Sequence, residues 1–239
     1  MEGESEKCIP FVDFKSQYLP VCYQDEVMME LIRAFANLTV MIEVFNKDGT
    51  LLIQGTGRIN DVFLKKKATK SCSCRKCKIS DSPSKEWGEI RIETSPELIP
   101  DLFESHLVKC TLFYNDNGTE EMTYIFGDRI VKNPDREDMC NFMCVTCDTK
   151  LLETLDKMVD EFDAKWKKTF DKYVDTVKSE DEKLVVLVIH PEGQRKHVVI
   201  EKWHIVEDKE EKKILFSAPK CKGSLGASIL IPNFDLDIF

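Results

Sequence analysis

The sequence predicts a mainly β protein with one long helix, in which two antiparallel β units are joined by a crossing α-helix. Three observations lead there. Short runs rich in β-branched and aromatic residues recur on both sides of the chain's middle, bounded by Asn, Asp and Gly. Between them, Leu152, Leu155, Phe162, Trp166, Phe170 and Tyr173 follow helical spacing with Lys, Asp and Glu interleaved. A chain of 239 residues, 42% hydrophobic and 32% charged, has the composition of a globular protein of one large domain or two small ones.

Taken in order, residues 1–36 read as an arm and a short helix. The arm has little periodicity and contains Pro10 and Pro20, whereas Val27, Met28, Leu31, Ile32 and Phe35 mark one apolar helix face within Gln24 to Phe35. Residues 37–148 read as a first β-barrel. Thr39 to Phe45 alternates into Asn46-Lys47-Asp48-Gly49, whose Asp-Gly pair is a hairpin signal, and Thr50 to Ile59 leads back. Lys65 to Ser84 is basic, Cys-rich and Ser-rich without an apolar period, which reads as a loop. Strand signals resume at Trp87 to Glu93, Leu107 to Tyr114 and Met122 to Val131. Ser95-Pro96-Glu97 has the cap, the first-turn proline and the acid of a short helix start. Residues 149–178 read as the long connecting helix. Residues 183–239 read as a second, truncated β-barrel, with strands at Leu184 to Ile189, His197 to Val206, Lys213 to Phe216 and Ser224 to Ile231.

The net charge of −9 makes the chain a poor partner for phosphate backbones and anionic lipid, so neither nucleic acid nor membrane is expected. No apolar run approaches the roughly 20 residues of a membrane span. Met1 to Lys7 lacks the basic and apolar regions of a secretory signal, and a cytoplasmic location is expected. In a reduced compartment the 10 cysteines point to metal more readily than to disulfides. Cys74-Arg75-Lys76-Cys77 and Cys144-Val145-Thr146-Cys147 each have C-x-x-C spacing, and Cys72 lies beside the first pair. Cys72, Cys74, Cys77, Cys144 and Cys147 are therefore the candidate zinc ligands, the Cys72 to Cys77 cluster first among them. Against this, Cys110 and Cys144 lie in apolar runs and also read as small core residues.

Several segments in order over residues 50–230 resemble the trypsin-like peptidases of the chymotrypsin fold, in particular divergent intracellular invertebrate forms. They are Gly55-Thr56-Gly57 after a strand, Asp81 to Gly88 leading into Glu89 to Thr94, Cys144 to Asp148 followed by Leu151, His190-Pro191-Glu192-Gly193, and Cys221-Lys222-Gly223-Ser224-Leu225-Gly226-Ala227-Ser228. The resemblance implies a double barrel, with the second barrel short or incomplete. It also implies a triad whose histidine follows Thr94-Ser95, where Pro96-Glu97 stands, and whose nucleophile falls on Leu225. Only Asp148 keeps the family's residue type, and it is equally a helix N-cap. With Glu97, Asp148 and Leu225 in those places the implied protein is a catalytically inactive homologue that binds protein or peptide and needs no cofactor. The backbone of Gly223, Ser224 and Gly226 keeps the potential for an oxyanion-type nest.

Two other functions compete. One is a zinc-stabilised interaction module unrelated to peptidases. The other is a live hydrolase with an unconventional set, His106 with Ser224 or His190 with Cys147. An incomplete second barrel would leave an edge for the N-terminal arm, another copy or a partner to fill.

Overall fold

The computed structural model describes residues 8–66, 69–99, 105–115, 122–131, 139–175, 183–208, 211–216 and 224–233. Its centre is a closed antiparallel barrel of six strands, β2 (Thr39–Phe45), β3 (Leu51–Lys65), β4 (Trp87–Thr94), β5 (Val108–Leu112), β6 (Thr123–Val131) and β7 (Cys140–Thr146). Their order around the barrel is β2-β3-β4-β7-β6-β5, and β5 pairs back onto β2 from Met41↔Thr111 to Val44↔Val108. Alternation selects the interior: Ile42, Ile90, Ile92, Val108, Cys110, Phe142 and Cys144 are buried in one apolar cluster. The Asp-Gly turn closes β2 onto β3, with Gly49 at φ +88° and Asn46 Oδ1 accepting from the Thr50 amide at 2.8 Å.

β3 runs past the expected Ile59 because an irregularity between Ile59 and Asp61 lets its second half continue along β4 to Lys65↔Trp87. Ser95-Pro96-Glu97 makes one hydrogen-bonded turn, Leu98 N to Ser95 O, instead of the expected helix start. The reason is burial: Leu98 and Ile99 immediately turn into the core.

Two helices cover the barrel. α1 (Glu26–Leu38) begins at Asp25, whose Oδ1 accepts from the Met28 amide, and buries Leu31, Ile32 and Phe35. α3 (Thr149–Tyr173) begins at Asp148, whose Oδ1 accepts from the Leu151 amide at 3.0 Å, and buries Leu155, Phe162 and Trp166. α3 packs on α1, β3 and β4, and the principal helix against the second β unit is α1, which meets the strand Val185–Ile189. Arg58 of β3 fills the seam, its guanidinium 5.8 Å from the Phe35 ring centroid and 5.2 Å from that of Phe162. Burial draws the Arg58 pKa down, while Glu93, Asp163 and Asp61 around it oppose that shift. Asp25 also ties the helices together, accepting from both Lys172 and the Tyr173 hydroxyl near the end of α3.

The second β unit is an open sheet in the order β1-β9-β8-β12, built from β1 (Cys8–Pro10), β8 (Val185–Ile189), β9 (His197–Glu201) and β12 (Ile229–Leu230). Among the described residues it does not close into a second barrel. The N-terminal arm fills one edge, β1 pairing with β9 from Cys8↔Val199 to Pro10↔His197. The strand expected over His197 to Val206 divides at Lys202, and β10 (Trp203–Asp208) forms a separate ribbon with β11 (Glu211–Phe216). Every residue of β8 is buried: Val186 and Val188 join the main core, while Val185, Leu187 and Ile189 pack with Trp203 and Ile231 on the other face.

Phe162→Asp places a carboxylate in the seam between α3, α1 and β3, where Phe162 is 2% exposed. A cost of about 4 kcal/mol or more is expected, enough to abolish a cooperative melt followed by circular dichroism. A variant that melts cooperatively near the parent's temperature would show that this seam does not hold the fold.

Candidate metal centre and the barrel–sheet junction

The two ends of the barrel carry different features. At the end where Gly88 of β4 pairs with Thr146 of β7, the chain after β3 forms a loop with one helical turn, α2 (Arg75–Lys78), and folds against the outgoing end of β7. Cys72, Cys74 and Cys77 of that loop meet Cys147, all four sulfurs lying within 4.8 Å of one another. Local backbone sets the geometry: the Cys74 amide donates to Cys72 Sγ at 3.4 Å, the Cys77 amide donates to the Cys74 sulfur, and Lys78 N reaches Cys74 O at 2.9 Å. Cys72 N is tied to Ser84 O at 2.9 Å, which closes the loop on itself. Val145 and Trp87 pack against the cluster, and Cys72 and Cys77 are buried.

The Cys74 and Cys147 sulfurs are 3.8 Å apart. Four thiolates at about 2.3 Å from a tetrahedral zinc stand about 3.8 Å from one another, so this edge already has the length the ion requires. The thiols differ in acidity. Burial would raise Cys74, but the Cys77 amide and the neighbouring thiols donate to its sulfur and bring it below the ordinary range. Burial and hydrogen bonds to Cys77 and Cys74 push Cys147 up to about 11, and burial likewise raises Cys72. Thiolates are the form that binds zinc, and a divalent cation is what would let all four sulfurs ionise together.

Cys144 is not part of this group. Alternation along β7 puts Val145 and Cys147 on the outer face and Cys144 inside the barrel, fully buried beside Cys110, where burial raises its thiol further. The second C-x-x-C pair of the sequence is thus split between two faces, and Cys72 supplies the fourth ligand position.

At the opposite end, where Thr94 pairs with Cys140, the barrel meets the second sheet. Thr56 N donates to Leu225 O at 2.9 Å, Thr94 Oγ1 donates to Thr56 O at 2.8 Å, and His190 N donates to Thr56 Oγ1 at 3.0 Å. Gly226, at φ +78°, lies so close that a Cβ there would collide with Thr94 Oγ1 and Thr56 O and stand 3.0 Å from Ser95 N. The Ser224–Ser228 turn and the Ser95–Leu98 turn therefore touch, which brings Leu225 and Gly226 to the neighbourhood of Glu97. Asp148 is elsewhere. It caps α3 at the metal end, about 20 Å along β4 at ~3.3 Å per residue, so Glu97, Asp148 and Leu225 do not form one constellation. Gly223 lies outside the described residues. The unconventional catalytic pairs are also divided: Arg75 donates to His106 O at the metal end while Ser224 sits in the junction turn, and His190 is at the junction while Cys147 is in the sulfur cluster.

No protein-family model and no curated protein sequence matches the chain. The site is therefore read from its own chemistry.

His190 was legible in sequence only as the end of an apolar strand. It is fully buried, stacks on Tyr114 with ring centroids 5.9 Å apart, and its Nδ1 lies 2.8 Å from Gln194 O. Burial, and then the charge of Lys196, draw its pKa from 6.5 down to about 3. Between those values the unfolded chain binds a proton that the folded chain excludes. Stability from this group is thus complete above pH 6.5 and falls as the pH drops towards 3, by about 1 kcal/mol per pH unit. His190→Gln is expected to flatten the slope of unfolding free energy, from urea titrations, between pH 6 and pH 4.5. An unchanged slope would assign the acid sensitivity to carboxylates alone.

Proposed function

We propose that the chain is a non-catalytic protein-binding module on a degenerate trypsin-like scaffold, with a zinc ion joining the Cys72–Cys77 loop to the end of β7. The observation that carries this is the four-sulfur cluster. Cys72, Cys74, Cys77 and Cys147 come from two segments of the chain, and a 3.8 Å edge between them matches a tetrahedral centre. An all-thiolate tetrahedral set with no open position is the pattern of a structural zinc site, and its binding energy becomes folding energy for the loop.

Contact between the Leu225–Gly226 turn and the Ser95–Leu98 turn supports the scaffold reading, because the resemblance makes those the nucleophile loop and the histidine turn, whereas Asp148 at the far end of the barrel and the open second sheet depart from it. Acyl transfer would need a hydroxyl hydrogen-bonded to an imidazole there; Leu225, Pro96 and Glu97 offer neither group, and the His190 ring at the junction is held on Gln194 O through Nδ1 rather than on a hydroxyl. What such a scaffold retains is its surface, which favours binding over turnover. Partner proteins or peptides are the expected ligands.

Metal content, thermal stability and active-site labelling test this. Elemental analysis of the purified chain is expected to find one zinc per chain. Chelation with phenanthroline should lower the melting temperature, Cys147→Ser should lose the metal, and Cys144→Ala should keep it. Metal-free parent protein, or metal lost from Cys144→Ala and kept by Cys147→Ser, would overturn the centre. Intact-mass analysis after incubation with a fluorophosphonate is expected to show no adduct, whereas a stoichiometric adduct on Ser224 would restore the hydrolase reading.

A further inference from the structure

Beside the sulfur cluster lies a groove of 220 Å³ whose walls come from the cysteine loop and from β6; Arg75, Lys76, Lys78, His106, Tyr124 and Phe126 are the lining residues that give it character. Its charge is positive on an acidic molecule. On a chain of net charge −9, other barrel cations are matched: Lys65 and Arg129 share Glu89, Lys109 meets Glu43, and Arg91 meets Asp61. Among the described residues, no carboxylate pairs with Arg75, Lys76 or Lys78.

Arg75 is also held in place. Its guanidinium lies 3.5 Å from the Phe126 ring centroid and donates to His106 O at 2.5 Å. An arginine stacked in this way keeps in-plane N–H groups for a carboxylate and has already given up much of its side-chain freedom. Across the groove, Tyr124 is 47% exposed; Lys109 Nζ lies 4.6 Å from its ring centroid, and the exposed part of the ring offers aromatic surface to an apolar side chain. Asp128 lines the groove as well, but its carboxylate accepts from Ser73 Oγ at 3.2 Å and lies 3.7 Å from Arg129.

We propose that this groove docks a short acidic segment of a partner protein, its carboxylates on Arg75, Lys76 and Lys78 and an apolar side chain against Tyr124 and Phe126. The inference rests on the reading of the chain as a zinc-stapled binding module, because the loop that carries the three cations is the one the sulfurs hold. Charge complementarity selects the occupant. A long polyanion such as RNA would run from the local cations into the field of an acidic molecule, whereas a short acidic segment meets only the groove. The volume also suits a few side chains rather than a folded surface.

The probe is a fluorescein-labelled decapeptide of Glu and Asp with two leucines, titrated with the full zinc-loaded chain and followed by anisotropy. The expected result is binding that weakens as salt rises from about 50 to about 300 mM, with no binding of the Lys counterpart or of labelled oligouridylate. Arg75→Glu and the double change Lys76→Glu with Lys78→Glu should each weaken it about tenfold or more, with zinc per chain unchanged in the same samples. Tyr124→Ala should weaken it at every salt concentration. Equal binding of acidic and basic peptides, preference for the oligouridylate, or parent-like binding by the charge-reversed variants would overturn the proposal. Loss of zinc from those variants would also overturn it, by assigning the cations to the metal centre. A metal-free chain that still binds the acidic peptide through Arg75 would leave the groove assigned and remove only the zinc.

Discussion

Closure of β5 onto β2 is the constraint on which the remaining architecture depends. The pairing from Met41 to Val44 with Val108 to Thr111 removes both edges of the six-stranded sheet at once, so the barrel needs no partner strand and offers none. Closure also creates two ends that the barrel's own strands leave uncovered. One is taken by the cysteine loop and the other by the second sheet, and the long side of the cylinder by β3 and β4 is left for α1 and α3. Each candidate feature is in this sense a solution to covering a barrel.

The two ends are solved by different physics. At the junction, threonine hydroxyls and backbone groups interlock around Thr56, and a glycine at Gly226 lets one turn pass within contact of another. At the opposite end, among the described residues, Val145 and Trp87 are the apolar side chains that pack with the sulfurs. A loop so short of core needs a stronger link than contact area, and the zinc proposed for the four sulfurs would supply one. A zinc centre of that kind is a dianion, and the same loop carries Arg75, Lys76 and Lys78. Whatever meets those cations from outside does so next to a centre that also attracts them.

Much of this was legible in the sequence, and the gaps have physical causes. β2 ends where its alternation ends, at Phe45, and α3 follows the apolar stripe beginning near Leu151, because both elements are specified by local period. Asp148 was readable as a cap for the same local reason. Closure against opening was not readable, since it depends on pairing between residues far apart, and the second unit is an open sheet. The extension of β3 was hidden by Asn60 and Asp61, where the ladder shifts and the alternation changes parity. Among the cysteines the spacing drew Cys144 and Cys147 together, although an odd separation along a strand sends them to opposite faces. Parity was the available signal, with Phe142 and Cys144 inside and Cys147 out. α2 has no periodic signal to find, being one turn.

The pairing of β1 with β9 carries a consequence for how the chain reaches this state. Cys8 finds its partner in Val199, so during synthesis on the ribosome β1 has nothing to pair with until β9 has been made. The barrel, complete once Thr146 is available, is free to fold ahead of it. Docking of the N-terminal strand is then a late event with a high entropic threshold, and the exposed edge of β9 is the segment a chaperone would have to shield in the interval.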